Sequence, residues 1–359
     1  MSADPHGDTI VASFMRPAAL THKFASSLLL LALFPLPAFG QEVSSANPLP
    51  VFEFHSGFWL NLHHTLYREA RLRRDSPTSA DNSLISGLNS SEQRVWESAV
   101  TYYLKNYAGK DLYFSLEMVL IKNQLGDFET CPDLAGIKRK SCDAGLPQGL
   151  TEALDSAAPI YRAHLWPEHD RLNRRWIFTV APLVRRNGLG LSHRLAEIYQ
   201  TDWPKDRIRV DVTAFANAEG AYTTLDPLRV TISSIDSRNQ GTDGLEVLFH
   251  EASLGISDNV QEAIVRECHQ RNIPIPRDLW HALLFYTAGE VIRSAVSPAS
   301  RSPGAVPDAA TTYTSRALQE RLYSRGWQDY YRVLSDYWQP YLDGNVGFED
   351  AIAHMVSAL

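Results

Sequence analysis

The chain changes its hydrophobic period once, and that change limits the folds open to it. Residues 207–235, "RIRVDVTAFANAEGAYTTLDPLRVTISSI", alternate apolar and polar positions and are rich in Val, Ile and Thr. A period of two belongs to strands. The stretch reads as a small sheet, mainly antiparallel, with turns at "ANAEG" and "LDP". Apolar residues elsewhere recur at helical spacing. The expected fold is therefore α+β and mostly α.

Helical runs fill the N-terminal part. Gly57–Arg73, "GFWLNLHHTLYREARLR", has Ser56 as a candidate N-cap. After a Ser/Asn-rich loop come "EQRVWESAVTYYLKNYAG" and "DLYFSLEMVLIKNQL". Residues 149–188 read as two helices, with Pro167 at the start of the second. "SHRLAEIYQ" reads as a further short helix. Beyond the strands, "SDNVQEAIVRECHQR" and "PRDLWHALLFYTAGEVIRSAV" are helical, and a Pro/Ser/Ala loop follows from Ser297. Helices resume at "YTSRALQERLYSRG", "WQDYYRVLSDYWQPYL" and "FEDAIAHMVSAL".

Residues 1–40 read as a signal peptide. Arg16 and Lys23 precede the apolar run "FASSLLLLALFPLPAFG", which ends in the small-residue pattern Ala38-Phe39-Gly40. The run is short for a membrane span and is broken by Pro35 and Pro37. A start at Met15 would give the signal a more usual length. The mature chain is expected to be exported, to the periplasm or beyond. Residues 41–205 then form a helical region and 206–359 the sheet with its later helices, as two regions or one integrated domain.

The net charge of -7 argues against a nucleic-acid partner. No P-loop, dinucleotide fingerprint or heptad run is present. In an exported chain, Cys131 and Cys142 of "CPDLAGIKRKSC" are expected to be bridged, which would contribute about 3 kcal/mol through the unfolded chain. Cys268, in an amphipathic run, is expected to be a buried free thiol.

Chemistry is suggested most strongly by Thr242–Ser257, "TDGLEVLFHEASLGIS". Residues four apart on a helix share a face. Histidines at positions 250 and 254 would chelate zinc there, with Glu251 beside the metal-bound water. Position 254 is Leu, and a buried His250 with no metal role is the alternative. Downstream, "LWHALLFYTAGEVIRSA" places Glu290 in an apolar helix. A carboxylate there needs a cation, a metal or several donors. Tyr286, Glu290 and Arg293 fall on one stripe, so a Glu290–Arg293 pair competes with a metal role. His281 lies half a wheel from Glu290 and is expected to face elsewhere.

His55, His63 and His64 form the densest histidine group. With Tyr286 they are candidates for lining a cleft; otherwise His63 and His64 bond backbone or solvent at a helix surface. His164, His169 and His193 sit among charged residues and read as surface.

The order strand, polar loop, "FHEAS" helix, then a Glu-bearing helix resembles the gluzincin branch of the zincin metallopeptidases. The run "FHSGFWLNLHH", residues 54–64, also resembles a feature of secreted bacterial proteins that carry a "FHEASH" helix. The resemblance covers about residues 51–296. It implies zinc held by His250, Glu290 and a further donor, with Glu251 as general base, and the strand "RVTISS" pairing with a peptide or protein substrate. Leu254 departs from the second ligand, and two protein ligands hold zinc weakly. The expectation is an exported metallopeptidase-like hydrolase, weakly active or a pseudoenzyme. The competing expectation is a non-enzymatic helical protein of the cell envelope, without metal and with Glu290 in a structural ion pair.

Overall fold

Four strands form one sheet in the order β1-β2-β4-β3, in a computed structural model describing residues 51–76, 85–134, 145–296, 313–325 and 327–359. The strands are β1 (Phe52–His55), β2 (Ile208–Thr213), β3 (Ala221–Leu225) and β4 (Leu228–Ser233). The three expected strands are present, and "VFEFH" supplies a fourth. The sheet is mixed rather than mainly antiparallel: β1–β2 and β2–β4 run parallel, and only β3–β4 is antiparallel. The reason is topological. The "ANAEG" turn does not pair β2 with β3; β4 inserts between them. "RVTISS" is accordingly an interior strand with both sides paired, and β1 and β3 are the edges.

Helices make up most of the rest, as expected. They are α1 (Phe58–Asp75), α2 (Ser90–Asn106), α3 (Leu116–Asp127), α4 (Gln148–His164), α5 (Trp166–Ile198), α6 (Gly241–Ser253), α7 (Asp258–Arg271) and α8 (Leu279–Val296). Short segments α9 (Arg316–Gln319), α10 (Leu322–Arg325), α11 (Gln328–Val333) and α12 (Gln339–Leu342) precede α13 (Phe348–Ser357). Gly57, not Ser56, caps α1, and the Ser56 hydroxyl donates to Asp170 at 2.8 Å instead. Asn89 and Glu92 form a reciprocal capping box on α2.

"SHRLAEIYQ" is not a separate helix but the end of α5. Its Leu195 and Ile198 extend the buried stripe of Trp176, Val180, Val184 and Leu191 without a phase break. That shared stripe holds the helix together across Pro182 and Asn187-Gly188.

The described residues belong to one compact unit, Pro48–Leu359, with two buried apolar clusters. One gathers α1–α4 around Trp59, Trp96 and Tyr161 and reaches Tyr222 of β3. The other packs α5, α6, α7, α8 and the C-terminal helices around the sheet. Among the described residues no helix is long and apolar enough to cross a membrane. The signal-peptide residues, Cys142 and the Pro/Ser/Ala loop lie outside them. Cys131 and Cys268 are buried, and Cys268 is a free thiol as expected.

Candidate functional site

Helix α6 is buried on every side from Gly244 to Ser253, ten residues in all. A helix buried all round is normally apolar throughout, yet α6 carries Glu246, His250 and Glu251. Its entry is built by close approach. A Cβ on Gly244 would collide with the Asn239 carbonyl oxygen, which also accepts the Trp176 indole N–H at 2.6 Å. The helix ends at Ser253 and tightens into a 3-10 turn over Leu254–Ile256. Leu254 packs against the main apolar cluster.

His250 lies face to face with Phe285 of α8, ring centroids 3.6 Å apart, and 5.4 Å from His281. Helix α8 is continuous, but His281 turns toward α6 rather than away. Burial, then His281, then Arg316 hold the His250 pKa well below the usual imidazole value, against a weaker pull from the Leu284 carbonyl. His250 Nδ1 is buried without a hydrogen-bond partner.

Glu251 faces the other way, under the edge strand. The Thr223 hydroxyl of β3 donates to its Oε2 at 2.7 Å and lies 3.0 Å from its carbonyl oxygen. Burial raises the Glu251 carboxyl to about 7, opposed by that hydroxyl and by Arg316. Glu246, one turn earlier, is also raised to about 7 by burial. It accepts the Tyr313 hydroxyl at 2.5 Å and the Arg316 main-chain N–H at 3.1 Å on each oxygen.

Glu290 is turned to Arg293, one turn on. The guanidinium Nε lies 3.1 Å from Oε2, and Nη2 pairs with the same oxygen. Tyr286 donates its hydroxyl to Gln339 at 2.8 Å. Among the described residues no group of three or more His, Cys, Asp or Glu side chains is placed to hold a metal ion. The orphaned Nδ1 of His250 is a possible ligand atom, but its neighbours are two aromatic rings and the field of a guanidinium. The second position is a leucine packed against the apolar cluster, and the acid is neutralised by Arg293. These residues do not fit zinc.

The histidine-rich helix is not a surface. His63 and His64 are both inaccessible. His63 Nδ1 meets the Tyr103 hydroxyl at 2.9 Å, and His64 bridges the Leu60 carbonyl and the Tyr222 hydroxyl, each at 2.9 Å. Burial lowers His64 to about 4 and His63 well below its usual value. His169, expected at the surface, is buried against the Tyr161 hydroxyl. His164 and His193 are exposed as expected. His55 ends β1 in a different network: its Nδ1 lies 3.0 Å from Glu129, which pairs with Arg209, which in turn holds Asp211 at 2.7 Å. Buried Lys122 stands 3.7 Å from Asp211 and donates to Thr224 at 3.1 Å.

Glu246, Arg316 and Lys122 are buried charged groups in polar networks, with the partly buried Tyr313 on Glu246, and no motif marks them. The readable signal is a glutamate at 246 between the apolar residues Leu245 and Val247. No family model matches the chain, and no curated protein or solved structure matches it.

Proposed function

We propose that this is an exported, non-enzymatic helical protein of the cell envelope, in which α6 and α8 form a buried polar framework rather than a zinc centre. The observation that carries this reading is the Glu290–Arg293 pair, which supplies the one cation that a carboxylate in an apolar helix requires. Burial, then His281, then Arg316 lower the pKa of His250 and so disfavour a positive charge at that imidazole. Leu254, partly buried, packs against the main apolar cluster at the remaining position.

A second reading is favoured by Glu251. It is a buried carboxyl near neutrality, beneath an edge strand with one unpaired side, which suits a peptidase-like frame that has lost its metal but still receives an extended peptide along β3. Zinc analysis by mass spectrometry, on the purified mature protein and on Leu254→His after zinc equilibration, separates the two. The first reading expects no stoichiometric zinc in either protein. Zinc in the variant alone transfers support to the second reading, and one equivalent in the unaltered protein overturns the first.

A further inference from the structure

Residues 313–320 reach the site from the far side of the Pro/Ser/Ala stretch and lie along the seam between α6 and α8. Tyr313 donates its hydroxyl to Asp243 at 3.0 Å as well as to Glu246. Ser315 presses on α8 where residue 289 is glycine; a Cβ there would collide with the Ser315 Cβ. Arg316 places its N–H on Glu246 and sends its guanidinium across to Asn239 Oδ1 at 2.9 Å and the Glu219 carbonyl oxygen at 2.5 Å. Gln319 donates to Asp243 at 3.1 Å, and Glu320 pairs with Arg316 and Arg238.

The attachment is polar. Its apolar share is small: Ala317 is buried in the main apolar cluster and Tyr313 packs against it in part, whereas Leu318 is 41% exposed. Segments with few buried apolar contacts open at lower free energy than the core they cover. The seam, by contrast, is rigid, since both α6 and α8 are buried along most of their length. It receives a hydroxyl, a main-chain N–H and a guanidinium at fixed positions, which is the chemistry of a bound peptide.

We propose that residues 313–320 are an autoinhibitory strap, a displaceable segment filling in cis a peptide-binding seam between α6 and α8 and anchored on Glu246. The occupant that replaces it is a peptide with an aromatic hydroxyl followed three residues later by arginine. None of the strap's contacts involves Glu290 or Leu254, and its link to the zinc question is the field of Arg316 at His250.

Native-state hydrogen exchange on the full chain tests the strap. The amides of residues 315–319 are expected to exchange at least tenfold faster than those of α6, through an opening that leaves α6 and α8 closed. Gly289→Ala favours the helical state of α8 while its new methyl collides only with the strap. It is expected to accelerate strap exchange at least tenfold further, with α6 and α8 unchanged. Strap and α6 opening together in both proteins, or strap exchange unaltered by the substitution, overturns the proposal. A labelled peptide of residues 313–320 is expected to bind the full-length Tyr313→Phe/Arg316→Ala protein and not the unaltered one. Failure to bind that variant, with its strap exchange accelerated, overturns the peptide-seam assignment.

Discussion

A lysine with no exposed surface persists only if its charge is met or given up. Lys122 does some of both: burial pulls its pKa down to about 8, against the opposing field of Asp211. Removing one member of a buried pair leaves the other uncompensated. Lys122→Met is therefore expected to cost about 3 kcal/mol in urea denaturation. Glu251 poses the complementary case, an acid whose neutral form is favoured. The Thr223 hydroxyl holds its carboxyl down toward 7. Thr223→Val should raise its titration midpoint above 7, read by carbon-13 NMR of the side-chain carboxyl. An unchanged midpoint would mean that burial and the neighbouring charges set the value without the hydroxyl.

At the scale of elements, the entry to α6 depends on what residue 244 lacks. Because a Cβ there meets a backbone oxygen rather than a flexible side chain, Gly244→Ala is expected to destabilise by about 1–3 kcal/mol. Thermal melting followed by circular dichroism measures it. The α2 cap is more modest. Asn89 accepts from the backbone N–H groups of Ser91 and Glu92 at 2.9 and 3.0 Å, so Asn89→Ala should cost about 1 kcal/mol in the same assay. The two magnitudes differ in kind: the cap can be rehydrated, whereas the collision at 244 has to be relieved inside the core.

For the whole molecule, buried imidazoles set the response to acid. His64, His169 and His281 are lowered to about 4 by burial, and His63 and His250 lie well below 6.5 for the same reason. Each remains neutral in the fold yet charges on unfolding below 6.5, so the unfolded chain binds more protons and stability falls with pH. Glu246 and Glu251 act in the opposite sense. Their folded values near 7 lie above the unfolded 4.5, so their contribution is present at low pH and is lost as pH rises through 7. Between 4.5 and 6.5 the five imidazoles outnumber the two carboxyls. Stability is therefore expected to fall on acidification through this window, by roughly 1.4 kcal/mol per pH unit for each net proton. Urea midpoints measured from pH 7 to pH 4.5 test the sign, and a rising midpoint would show that the glutamates dominate.

Much of the secondary structure was determined by local pattern. Period two marked β2, β3 and β4, helical spacing marked α1 through α8, and Pro167 marked the start of α5. These signals are legible because neighbouring residues share one backbone geometry. The same stretch of sequence drew attention to α6 and to the choice facing Glu290. What only the tertiary structure decided was partnership. β4 slides between β2 and β3, His281 turns onto His250, the histidines of α1 go inward, and Arg316 crosses to α6 from 70 residues beyond Glu246. Such pairings depend on the free energy of desolvating a charge against whatever the rest of the chain brings to it, and that quantity has no period along the sequence.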